Sequence, residues 1–77
     1  MSDMFEKVRE IMVNTLSCNL EDVTMQAKLQ EDLGIDSLDA VELNIAIEEE
    51  LGIAVPDEEF AEVQTVADIV RALEALA

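Results

Sequence analysis

Residues 36–52 read Asp36-Ser-Leu-Asp-Ala-Val-Glu-Leu-Asn-Ile-Ala-Ile-Glu-Glu-Glu-Leu-Gly52, and this stretch decides the fold. Asp36 offers a capping carboxylate, with Asp39 three residues on, where the first free amides of a helix need acceptors. No proline or glycine interrupts the run until Gly52, a usual residue just past a helix C-terminus. Ala40, Leu43, Ile47 and Leu51 recur on one side at helical spacing, while Leu38, Val41 and Ile45 form a second stripe on a nearly opposite side. One bundle core does not need both stripes, so the second is a candidate docking face bordered by Glu42, Glu48 and Glu49, with Ser37 at one end.

The flanks extend the helical pattern. Phe5, Val8, Met12 and Leu16 predict a helix over 3–16, opened by Ser2 and by a capping-box pair of Asp3 and Glu6. From Ser17 to Ile35 the periodicity lapses into a long loop that ends at Gly34. Such a loop is tolerable only if its apolar residues Leu20, Val23, Leu29 and Leu33 pin it to the bundle. Downstream, Pro56 forbids continuation, and Asp57, Glu58 and Glu59 suit the start of a short third helix through about Val63. Thr65 caps a last helix in which Val66, Ile69, Val70, Leu73 and Leu76 share the core stripe, with Arg71 in the C-terminal half. The expected fold is all-α. It is a four-helix bundle of three longer helices and one short third helix, with a long loop between helices one and two, in a single domain over 1–77.

Composition supports this and narrows the function. Half of the 77 residues are apolar but only Phe5 and Phe60 are aromatic, so the core is aliphatic, the palette of helix packing. Nineteen acidic against four basic side chains give a net charge of −15, a field that repels nucleic-acid backbones and anionic lipid and attracts basic protein surfaces. The opening residues lack the apolar core of a signal peptide, and no apolar run approaches the roughly 20 residues of a membrane span. A cytoplasmic address without membrane insertion is expected. Cys18 stands alone, which leaves no internal disulfide, and it reads as a small apolar residue at a helix end.

Catalysis is tested by inventory. There is no histidine to serve a nucleophile, and a chain of this size has little interior in which to drive carboxylate pKa values apart. Asp32, Asp36, Asp39 and Glu42 cluster in sequence, but the order of a calcium loop is absent, so no metal site is expected. Ser37 remains. It follows the helix cap directly, where free amides and the positive helix end favour a phosphate.

Taken together, Leu33-Gly-Ile-Asp-Ser-Leu-Asp-Ala-Val-Glu-Leu43, Glu48-Glu-Glu-Leu-Gly-Ile53 and Val55-Pro-Asp-Glu-Glu59 resemble the acyl carrier protein family, and the likeness runs along essentially the whole chain. The resemblance implies that Ser37 carries a covalent 4′-phosphopantetheine from coenzyme A, transferred by a phosphopantetheinyl transferase that uses magnesium, with Asp36 and Leu38 as the flanking recognition motif. It implies a monomeric carrier, itself no enzyme, that shuttles growing acyl chains as thioesters between enzymes of fatty acid biosynthesis. Those enzymes would meet Asp39, Val41, Glu42, Ile45, Glu48 and Glu49 through basic patches. An acyl shelter is expected near Leu43, Ile47, Val55, Phe60 and Val63, although Phe60 stands where many members carry a smaller residue. Two other readings remain open: a polyketide carrier, and an acidic interaction module in which Ser37 stays unmodified.

Overall fold

The computed structural model describes residues 3–77, and among these it contains helices and loops but no strand. Helix α1 spans Asp3–Leu16, α2 Ser37–Leu51, α3 Asp57–Phe60 and α4 Val66–Leu76, with a 3₁₀ turn at Leu20–Asp22. The bounds expected for α1 and α2 coincide with those observed. Asp3 is itself helical, so it does not head the expected capping box with Glu6, and the expectation for Ser2 lies outside the described residues.

Helix α1 packs on both α2 and α4, and α2 also meets α3. Val8 and Met12 of α1, Leu43 and Ile47 of α2, and Val66, Ile69 and Leu73 of α4 are fully buried together. Each such aliphatic side chain contributes about 1.5–3 kcal/mol by leaving water. Ile11 and Ala67 join this core although neither lies on the stripes predicted for them. Leu76 does not. It is 46% exposed, and Leu73 is the last buried residue of α4.

The long loop is pinned, but not from its first apolar residue. Leu20 opens the 3₁₀ turn on the surface and is 56% exposed, whereas Val23, Ala27, Leu29 and Ile35 are buried. Backbone pairing adds to this side-chain anchorage. The Leu29 amide donates to the Gln64 carbonyl at 2.9 Å, Val66 to Ala27 at 3.1 Å and Ala67 to Met25 at 2.9 Å, around a bridge between Lys28 and Thr65. The loop's own polar groups are satisfied locally, as where the Lys28 amide donates to Asp32 Oδ2 at 2.8 Å.

Helix α3 is shorter than its sequence suggests and ends at Phe60 rather than near Val63. The Ala61 amide still reaches Asp57, but the Glu62 and Val63 amides step back to Glu59 and Phe60, so the chain tightens into turns. Phe60 is buried by this path and closes the core on the α2 side.

Candidate functional site

The start of α2 is built by two aspartates that satisfy each other's backbone. The Asp39 amide donates to Asp36 Oδ1 at 2.8 Å, and the Asp36 amide donates to Asp39 Oδ2 at 3.4 Å. Reciprocal capping of this kind fixes the first turn and turns both carboxylates toward backbone amides. Ser37, the first helical residue, stays exposed between them. Its hydroxyl therefore sits at the positive end of a fifteen-residue helix. An exposed hydroxyl beside N-terminal amides fits a phosphodiester.

A groove of about 1000 Å³ opens beside Ser37. Loop residues 28–31 form one wall, Ser37, Ala40, Val41 and Asn44 of α2 the floor, and the segment from Phe60 to Gln64 the far wall. Of the five residues expected around an acyl shelter, Phe60 and Val63 line this groove. Leu43, Ile47 and Val55 do not: all three are spent on the core beneath it.

Asn44 was not singled out by its sequence. Its Nδ2 donates to the Val55 carbonyl at 3.1 Å and to Asp57 Oδ1 at 3.3 Å, fastening α2 to the segment that enters α3. Its Oδ1 is buried and finds no partner among the described residues. The available signal was a lone carboxamide between Leu43 and Ile45.

The second stripe of α2 lies in solvent. Leu38, Val41 and Ile45 are 67%, 56% and 52% exposed, which excludes burial beneath the loop or α3. Glu42, Glu48 and Glu49 are exposed around them, and Asp39 is half-buried. Neither Asp32, Asp36, Asp39 and Glu42 nor any other such residues among those described gather into a group of three that could hold a metal ion. Cys18 is half-buried against the core, and burial, followed by the charges of Asp39 and Asp22, pushes its thiol pKa up. No described helix is long and apolar enough to cross a membrane.

Comparison with known proteins agrees with this geometry. The family profile described as the phosphopantetheine attachment site matches residues 6–73, which places the chain in the class of proteins that bear this group covalently. Over 71 residues the chain is 46% identical to an acyl carrier protein of Wolinella succinogenes, covering 92% of this chain and 93% of that one. It is 48% identical over 68 residues to an acyl carrier protein of Clostridium perfringens, covering 88% and 90%. With one from Akkermansia muciniphila it shares 54% over 69 residues, covering 90% and 86%. The chain belongs to the acyl carrier protein family.

Proposed function

We propose that Ser37 is the residue to which the 4′-phosphopantetheine is attached, and that the chain carries growing acyl groups on it, as thioesters, between the enzymes of fatty acid biosynthesis. The observation that carries this reading is the exposed Ser37 hydroxyl at the first position of α2, between two aspartates engaged in capping and at the edge of a groove. The bound group supplies a terminal thiol on a long tether. The protein supplies the anchor, the groove in which the cargo shelters and the surface that enzymes read; it catalyses no step. Asp36 and Leu38 flank the serine as the motif met by a magnesium-dependent phosphopantetheinyl transferase that draws on coenzyme A.

The docking surface is Val41 and Ile45 bordered by Asp39, Glu42, Glu48 and Glu49. Its charge speeds encounter with basic patches, while its small apolar area keeps the complexes short-lived, as a shuttle requires. The chain works as a cytoplasmic monomer. Affinity for partner enzymes falls as salt rises; affinity indifferent to ionic strength would remove the acids from the interface.

Intact mass before and after incubation with coenzyme A, magnesium and a phosphopantetheinyl transferase tests the attachment. The expected result is a phosphopantetheine-sized gain that is lost in Ser37→Ala. No gain, from folded and initially unmodified protein, overturns the assignment of Ser37.

A further inference from the structure

The groove is lined by polar as well as apolar side chains. Its α2 floor runs from Ser37 through Ala40 and Val41 to Asn44, residues at i, i+3, i+4 and i+7 on one side of the helix. Asn44 is therefore about two turns, or roughly 10 Å, along the helix from Ser37, within reach of a pantetheine arm fixed there. The orientation of its amide is set by its neighbours. The Val55 carbonyl and the Asp57 carboxylate both accept hydrogen bonds, so Nδ2 must face them and Oδ1 must point the other way. Turning the amide over would satisfy nothing, since it would set oxygen against oxygen. Oδ1 is thus a buried acceptor, held in place by the two bonds of Nδ2 and unmatched by any donor among the described residues. A buried acceptor left unpaired is unfavourable, and a donor delivered to it is correspondingly favoured.

We propose that Asn44 holds the tethered group in the groove by accepting, at its Oδ1, an N–H or O–H donor that the group delivers. This rests on attachment of the arm at Ser37. Two parts of the tethered group can supply the donor: an amide of the arm itself, or a hydroxyl on the acyl group. To reach Oδ1, either must enter between α2 and the segment from Asp57 to Gln64.

The test uses holo protein in four forms: free thiol, S-methyl, butyryl and 3-hydroxybutyryl, each verified by intact mass. The first readout is the ¹³C resonance of the Asn44 side-chain carbonyl, which moves when its oxygen accepts a hydrogen bond. The second is the rate at which hydroxylamine cleaves the thioester. If the acyl hydroxyl is the donor, the resonance moves only in the 3-hydroxybutyryl form, which is cleaved about three- to tenfold more slowly than the butyryl form. Asn44→Val then abolishes the difference. If an arm amide is the donor, the resonance moves equally in all four forms relative to the unmodified chain. A resonance unmoved throughout means that water serves Oδ1 and overturns the proposal. These spectra are taken on the unmutated chain, so they decide even if Asn44→Val fails to fold. Absence of any mass gain at Ser37 is a separate result, which overturns the attachment and the proposal together.

Discussion

Thr65 and Asp68 cap α4 reciprocally: the Asp68 amide donates to Thr65 Oγ1 at 3.2 Å, and the Thr65 amide donates to Asp68 Oδ2 at 3.2 Å. The Gln64 amide adds a third bond to the same carboxylate at 3.0 Å. Bonds from the Gln64 and Thr65 backbone hold the Asp68 carboxyl below the usual carboxylate range, against a smaller opposing effect of burial, and Arg71 assists. A group with a lowered folded pKa stabilises the fold above its unfolded pKa, about 3.9 for aspartate, and loses that contribution as pH falls through the folded value. Thr65→Ala is expected to lower stability by about 1 kcal/mol at pH 7. For Asp68→Asn, urea melts between pH 7 and 2 are expected to show a deficit at neutral pH that narrows below about pH 4. A deficit constant across that range would mean that the charge of Asp68 contributes nothing.

The two faces of α2 predict opposite responses to truncation. Leu43 is fully buried, and Leu43→Ala is expected to cost about 2–5 kcal/mol, a large part of the stability of so small a chain. Val41→Ala and Ile45→Ala, on the exposed side, are expected to stay within about 0.5 kcal/mol of the parent in urea melts. The same two variants should weaken binding to partner enzymes. Exposed substitutions that melt the fold without touching binding would assign this stripe to structure.

The end of α1 carries strain that the end of α2 avoids. Ser17 follows Leu16 with φ of 57°, the left-handed conformation in which a Cβ is unwelcome; Gly52 adopts φ of 69° after Leu51 at no such cost. Ser17→Gly removes that strain at the expense of some unfolded-state entropy. The expected net gain is about 0.5 kcal/mol, read as a raised Tm. A lowered Tm would show that the Ser17 side chain contributes more than its backbone costs.

Because burial and the nearby Asp39 and Asp22 raise the Cys18 pKa, the folded chain holds less thiolate than the unfolded one at pH 8. Alkylation by iodoacetamide is expected to be slower in the native protein than in urea. Iodoacetate, being anionic, should be slowed further. Equal rates in both states would place the thiol in open solvent. A raised thiol pKa also stabilises the fold below the unfolded value, about 8.5, and that contribution fades as pH rises through the folded value.

How much of this was legible in the sequence depended on the range of the interaction responsible. Local chemistry was readable. Asp36 with Asp39, Thr65 before Val66, and Gly52 after Leu51 fix helix ends through contacts a few residues long, and the doubled stripe of α2 announced an exposed apolar face. Leu20 and Leu76 misled because hydrophobicity marks a residue that can be buried, not one with a neighbour to bury it. The end of α3 was invisible since only the switch of the Glu62 and Val63 amides to nearer carbonyls shortens it. In the groove, Leu43, Ile47 and Val55 were expected where Asn44 and the loop residues stand. Asn44 acquires its meaning from Val55 and Asp57, and no local pattern connects them.

The backbone bonds between residues 25–29 and 64–67 impose an order on biosynthesis. A ribosome finishes the loop long before it makes the strip of chain that receives it, so the early residues must wait unpaired while α2 and α3 are translated. The loop wall of the groove is thus not fully fastened until residues 64–67 have been made, although every residue that lines the groove precedes Thr65.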